Sequence, residues 1–541
     1  MKMKKLVIKL LVLGILVHSC SESYLDTTPK DFITPATFLE NEAQIEILLN
    51  GVYHQLDFGG TGDADQKLNP FVFDNMTDNS VDLQPWHGTT AFAKGGVPAN
   101  NKRVVWKWKR NYQGIARANT FIDLVSESPI QSDKIPRYFA EAKFLRAWYY
   151  HDLVMFYGDV PLLLNKPNLE EGQPSRTPKS EVITQILKDL DEAISVLPLS
   201  YTGNEKGRIT KGAAIAFKAR VLLFEERWTE AAAVAKECMD LGVYSLFPDY
   251  EGLFLEVNES AVSDSEAILE VFYTPNVNAS FFQTPIMEWW PMVLPSLSMA
   301  EAYYMDNGLP ITDPSSGYDP ENPYMDRDPR LYASIYYPGA PWRVEFWGRT
   351  AEDNRFQENW ILGGTGFKPK KWMNDGKQMD RWSGEGNNKI FLRYAEVLLT
   401  YAEAKNEASG PDASVYSAID ELRNRIGMTT LTDAMPGLSQ EEMREVIRNE
   451  RRVEFLYEGL RLNDIRRWKI GEEVMVDSEG YDHTYLKDMS YPGDGMGTTA
   501  DWQYVRRIVD VRSFVAPRDY LWPIPQEEVD SNPNMTQNPG Y

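Results

Sequence analysis

The sequence predicts a mainly α chain, a tetratricopeptide-like scaffold of helix pairs joined to an irregular, loop-rich half. Three observations predict it. Apolar residues recur at helical spacing in both the first and the last third of the chain. Small residues at the helix contact faces, Ala216, Ala219, Ala231 and Ala402, let neighbouring helices approach closely. Residues 244–388, in contrast, are dense in Pro, Gly and Trp and show little helical period. No clean fixed repeat length emerges, so the helix pairs are degenerate.

Each element follows in order. Phe38-Leu39, Ile45, Leu48-Leu49 and Val52-Tyr53 form a first helical pattern, with Gly51 inside it. Residues 57–103 are rich in Gly, Asp and Asn without a period; a connection that long is usually a functional loop. Helices are predicted over Trp106–Val125 and Tyr138–Tyr157. The second is apolar nearly all round, through Phe139, Phe144, Leu145, Trp148, Tyr149, Leu153 and Phe156, and should be central. Gly158-Asp159-Val160-Pro161 stops it. Val182–Leu197, Ala213–Phe224 and Thr229–Leu241 follow, with Gly242 as a cap. Helical pattern returns at Leu392–Glu407, Val415–Arg425 and Glu441–Tyr457, and residues 501–541 form an irregular, Pro-rich tail. The chain therefore divides into a leader (1–19), an N-terminal region (20–243), an aromatic-rich middle (244–388) and a C-terminal helical region with its tail (389–541).

Composition excludes several classes. With 541 residues and 43% hydrophobic content the chain can bury a large core, and 12% aromatic content argues against disorder. A net charge of -23 repels nucleic acid and anionic lipid alike. Lys2, Lys4, Lys5 and Lys9 form a basic start, and Leu6–Val17 is mostly apolar, too short to span a bilayer and typical of an export signal. It ends in Leu16-Val17-His18-Ser19-Cys20, which resembles a bacterial lipobox, with His18 departing from the small or aliphatic residue usual there. Cleavage before Cys20 would leave a lipidated cysteine as the sole membrane anchor. Loss of those four lysines would take the charge from -23 to -27. Cys238, the second of two cysteines, then has no intramolecular partner and reads as a buried, inert thiol.

Catalytic patterns are sparse. His54, His87, His151 and His483 show no metal-ligand spacing, and His151 reads as a core residue. There is no Gly-x-Ser-x-Gly elbow, phosphate loop or Cys-x-x-Cys, and Gly493-x-Gly495-x-Gly497 reads as a loop. Glu450, Glu454 and Glu458 share one helix face, where like charges repel unless cations such as Arg461 or Arg393 pair with them. A paired structural network is the expected reading. No cofactor or metal is expected.

Several segments, in order, resemble the SusD/RagB family. Ala140-Glu141-Ala142-Lys143-Phe144-Leu145-Arg146-Ala147-Trp148-Tyr149-Tyr150 leads to Gly158-Asp159-Val160-Pro161. Asp328-Pro329-Arg330, Arg393-Tyr394-Ala395-Glu396-Val397-Leu398-Leu399 and Glu450-Arg451-Arg452-Val453-Glu454-Phe455 follow, the last with Arg461, Asp464 and Arg466-Arg467-Trp468. The end, Pro523-Ile524-Pro525 and Gln537-Asn538-Pro539-Gly540-Tyr541, matches too. The resemblance implies a non-enzymatic lipoprotein, exposed on the outer membrane. It would bind an oligosaccharide and deliver it to a TonB-dependent SusC-like transporter. A peptide or another nutrient on the same scaffold is the alternative, and a glycoside hydrolase a more remote one.

The aromatic residues are the leading candidates for a site, because an exposed ring can cover the C–H face of a sugar while amides and charges bond its hydroxyls. Trp86 and His87 lie in the long loop with Asn75 and Asp78 nearby. Trp289, Trp290, Tyr324, Trp342, Trp347 and Trp382 crowd the middle. For most single tryptophans core packing is the bland expectation. Trp86, in a Gly- and Asn-rich loop, is the exception.

Overall fold

The computed structural model describes residues 39–56, 70–83, 88–168, 172–275, 293–338, 340, 364–374, 386–482 and 504–541. Its frame is mainly α. The long helices are α1 (Glu42–Tyr53), α2 (Lys102–Glu127), α3 (Ile135–Tyr157), α4 (Lys179–Val196), α5 (Lys211–Phe224), α6 (Trp228–Asp240), α7 (Tyr394–Ser409), α8 (Ala413–Arg425) and α9 (Gln440–Glu454), with a shorter α10 (Arg461–Arg467). Each of α1 to α6 packs on the next; α6 lies on α7, which carries α8 and α9. Side chains cap the helix starts where the sequence supplies them. Asn41 with Gln44 and Ser439 with Glu442 form capping boxes, and Thr210 and Asp412 accept from backbone amides. Gly158 and Gly242, at φ 73 and φ 65, take the left-handed turn that ends α3 and α6.

Helix α3 is the central one, as its all-round apolarity predicts. Tyr138, Phe144, Leu145, Tyr149, Tyr150 and Tyr157 are fully buried on it. A buried hydroxyl needs an acceptor, and three of these tyrosines reach carbonyls on other segments: Tyr149 to Val52 at 2.7 Å, Tyr150 to Leu163 at 2.7 Å and Tyr157 to Val104 at 2.6 Å. Helix α2 crosses α3 at Gly114, where an added Cβ would lie 2.5 Å from the Tyr149 ring. His151 is sandwiched among Phe217 and Phe224, and burial, with help from Arg220, holds its imidazole far below the usual range. Burial pushes the Cys238 thiol up to about 12, so it is inert.

Two expectations need correction. The described parts of 57–103 hold short helices at Pro70–Asp74 and Thr90–Ala93 and a strand, β1 (Ser80–Val81), and α2 begins already at Lys102. Buried polar groups there satisfy one another: Asn79 donates to Asp74 at 2.8 Å, and Thr77 donates to the Asp74 carbonyl at 2.7 Å. Leu392 does not start a helix. Lys389–Arg393 is a strand (β6) antiparallel to β2 (Ala267–Val271), and α7 begins at Tyr394. The remaining strands are β3 (Leu294–Pro295), antiparallel to β1; β4 (Ile335–Tyr336), to β5 (Lys368–Pro369); and β7 (Ser478–Tyr481), to β8 (Arg506–Asp510).

The irregular middle has its own core, built from Tyr250, Phe254, Tyr303, Tyr336, Trp372 and Tyr457. An ion-pair network joins it to the helical frame. Glu454 accepts from Arg393 at 2.7 Å, Arg425 at 2.6 Å and Arg330 at 3.1 Å. Glu450 accepts from Arg330 and Arg423, both at 2.8 Å, and Glu458 from Arg393 and Lys371, both at 2.7 Å. Burial alone would raise the Glu454 carboxyl, but Arg425, Arg393 and Arg330 together hold it well below the usual carboxylate range. Arg393 thus pairs as the sequence suggests, whereas Arg461 turns to Asp78 instead. A last segment closes the frame. Trp522 donates to the Phe156 carbonyl at 2.6 Å, and Asn538 donates to the carbonyls of Tyr157 at 3.0 Å and Trp522 at 2.7 Å. Glu454→Gln removes a carboxylate shared by Arg330, Arg393 and Arg425, which keep Asp328, Glu450, Glu458 and Glu266, and so leaves one buried positive charge in excess. It should cost about 3–5 kcal/mol in denaturant unfolding; a loss under about 1 kcal/mol would show that the network is not what joins the two cores.

Candidate functional site

The β1–β3 pairing, Ser80 opposite Pro295, places the 74–82 segment against α9 and α10. Asp78 is thereby carried onto an arginine cluster. Its two carboxylate oxygens accept from Arg461 Nε and Nη2, each at 2.8 Å, and from Arg452 Nη2 at 2.9 Å. Arg452 also donates to Asn79 at 2.9 Å and to Ser298 at 3.1 Å. Arg512 donates to the Thr77 and Ser80 carbonyls and pairs with Asp510 at 3.1 Å. Burial would raise the Asp78 carboxyl, but Arg452 and Arg461 outweigh it and bring it down to about 2.

Above this floor opens a cleft of about 850 Å³. Its walls are the 472–479 segment and the 508–514 segment that ends β8. Apolar groups stand beside acids: Val476 (58% exposed), Ile508 (56%) and Phe514 against Glu301, Glu472, Asp477 and Glu479. The arginines facing the cleft spend their charge on Asp78, Asp510 and backbone carbonyls, and Arg506 pairs with Glu301 and with Glu479 at 3.3 Å, so the acidic character of the rim rests on Glu472, Glu473 and Asp477. Such a surface offers acceptors to hydroxyl donors and short apolar patches on its walls for C–H faces. A second concavity of about 400 Å³ is lined by Asn50, His54, Asn204, Arg208 and a half-exposed Phe272.

Of the residues singled out in the sequence, Trp86, His87, Trp289, Trp290, Trp342, Trp347 and Trp382 lie outside the described residues, as does Cys20. Asn75, Asp78 and Tyr324 are described, and all three are buried. Tyr324 stacks on Tyr337 at 4.4 Å between ring centroids and belongs to the second core, so it presents no ring to an open face. Asn75 is enclosed in the 74–82 segment. Only Asp78 borders the cleft, and its oxygens are occupied by arginine. The cleft walls themselves escaped the sequence reading. Their signal is faint: the apolar pair Ile508-Val509 between Arg506-Arg507 and Asp510 does not alternate, and in the structure Ile508 is left in solvent.

Among the described residues no group of three His, Cys, Asp or Glu side chains could hold a metal ion, and no helix is long and apolar enough to cross a membrane. The Glu450, Glu454 and Glu458 carboxylates are fully engaged by cations, which removes them as an acid–base pair.

The chain belongs to the SusD family, whose model matches residues 251–541. Residues 23–223 match a second model, described as starch-binding, associating with the outer membrane. A SusD-like protein of Formosa agariphila is 26% identical, over 87% of this chain and 91% of its own. The starch-binding protein SusD of Bacteroides thetaiotaomicron is 25% identical, over 82% and 79%. Among solved structures, a SusD-like carbohydrate-binding protein of Bacteroides fragilis superposes with a TM-score of 0.77 at 27% identity, covering 92% of this chain and all of its own.

Asp78 makes the floor sensitive to acid. Its carboxyl sits at about 2 in the fold and near the ordinary 3.9 when unfolded, so its stabilisation is complete above that ordinary value and fades as pH falls towards 2. Asp78→Asn should therefore cost about 2–3 kcal/mol at neutral pH, with roughly half of that gap gone at pH 3. Urea titrations at the two pH values check this, and a gap that holds constant would remove Asp78 as an ionised anchor.

Proposed function

We propose that this protein is a cell-surface lipoprotein that captures a neutral oligosaccharide and hands it to a TonB-dependent SusC-like transporter. Membership of the SusD family is the observation that carries the reading. Relatives described as starch-binding or carbohydrate-binding support the ligand class. The chemistry of the cleft agrees with it. Acidic side chains beside exposed Val476 and Ile508 accept from hydroxyl groups and repel sulfated or uronic sugars. In this reading Trp86 and the tryptophans at 289, 290, 342, 347 and 382 supply stacking platforms, and His87, next to Trp86 in sequence, a hydrogen-bonding group. The paired state of the buried carboxylates favours binding without bond cleavage.

The same acidic rim, next to strand β8 with its exposed Ile508, also favours a second reading, a basic peptide laid along the cleft. Isothermal calorimetry against panels of neutral glycans, anionic glycans and peptides separates the two. Binding to neutral glycans is the expected result; binding confined to peptides would replace the sugar reading. Trp86→Ala should weaken glycan binding at least tenfold, about 1.4 kcal/mol, with the melting temperature nearly unchanged. An unaltered affinity would take Trp86 out of the site.

Cys20, as the lipidated first residue of the mature chain, places the protein on the outer membrane in this reading. Affinity capture from detergent-solubilised outer membrane should then recover a large β-barrel protein, and Cys20→Ala should shift the protein to the soluble fraction. Repeated recovery of the lipoprotein alone would argue against a stable complex.

A further inference from the structure

Helix α10 carries three closely spaced arginines, and one of them has no counter-charge. Arg461 is paired with Asp78, and Arg467 with Glu403 at 2.5 Å. Arg466 is only 6% exposed, and among the described residues it forms no ion pair; its Nε and Nη1 are buried without an acceptor. The guanidinium lies over the rings of Phe156 at 5.1 Å and Trp522 at 5.8 Å. Aromatic faces hold a cation in place but bring no negative charge. Burial pulls its pKa down to about 10, which still leaves it charged at neutral pH.

The groups around it do not balance that charge. Lys107, over the other ring contact of Phe156, is matched by Asp152 at 2.7 Å. The Asp519 carboxylate is matched by Arg518 at 2.7 Å, and it also accepts from the amides of Gly96 at 2.9 Å and Val515 at 2.8 Å. Tyr541 and Tyr157 are neutral phenols, the first pushed up to about 12 by burial and the second also held well above the usual phenol range by burial. Arg466 borders a cavity of about 20 Å³, shared with Met76, Phe92, Ile465, Asp519, Trp522 and Tyr541. That is room for one particle of water size, which needs about 10–15 Å³. Sulfate, phosphate or a carboxylate does not fit.

We propose that this cavity binds a single small monovalent anion, of halide size, on the Arg466 guanidinium. The ion neutralises the one unmatched charge beneath α10. It also ties α10 to Trp522 and Tyr541 on one side and to Met76 on the other.

Thermal unfolding of the whole protein tests this, with sodium chloride set against sodium gluconate at equal ionic strength. Chloride should raise the melting temperature by about 2 °C in a saturable way. Arg466→Leu should abolish the dependence, while sulfate acts alike on both proteins. Crystals grown in bromide give a second readout independent of that variant's folding: an anomalous peak within hydrogen-bonding reach of Arg466. Absence of that peak overturns the proposal whatever the melting curves do, and so do identical curves in chloride and gluconate, since the cavity then holds water.

Discussion

The buried pairing of Glu450, Glu454 and Glu458 with cations from four other segments underlies both halves of the molecule. Glu450 and Glu454 lie along one face of α9 and would oppose helix formation if it stood alone, while Glu458, expected on the same face, lies just past the helix end. Their cations come from Arg330, Lys371, Arg393 and the Arg423–Arg425 end of α8. Those segments span the irregular middle, strand β6 and the C-terminal helices, so α9 can bury its face only when all of them are in place. Arginine suits the task because its planar fork can serve two carboxylates at once, as Arg393 does for Glu454 and Glu458. Burying so much charge yields modest net stability. What it determines is which segments meet.

The candidate cleft hangs from the same helix. Glu450 and Glu454 face the shared network, while Arg452, between them, turns to Asp78 and Ser298 on the cleft floor. The floor is therefore as firmly held as the network behind it. Its walls are less constrained: a two-stranded ribbon, β7–β8, and the 472–477 turn. A rigid base under short, loop-bearing walls holds the floor residues in place while leaving the walls free to adjust.

Much of the frame was legible in the sequence, because α3 and its neighbours declare themselves by apolar spacing and by Gly158 and Gly242. The strand β6 was not, since Ile390-Phe391-Leu392 is a short apolar run that fits helix or strand equally. The 74–82 segment misled for a different reason. Asp74, Asn75, Thr77, Asp78 and Asn79 look like a solvated loop, yet all are interior, hydrogen-bonded or ion-paired across the chain. Arg461 shows the same limit. Its partner Asp78 is 383 residues away in sequence, and no local pattern announces such a pairing. Polarity signals burial poorly when the compensating charge arrives from a distant segment.

The closing strap formed by Trp522 and Asn538 has a consequence for the order of events in folding. It satisfies the terminal carbonyls of α3 from a position 381 residues downstream. The end of the most deeply packed helix of the first half is thus sealed only when residues 522–538 dock on it. Closing so wide a loop is entropically slow. During synthesis the first half of the chain folds with an unfinished edge, and the interval before the strap arrives is when the chain most needs shielding from its neighbours.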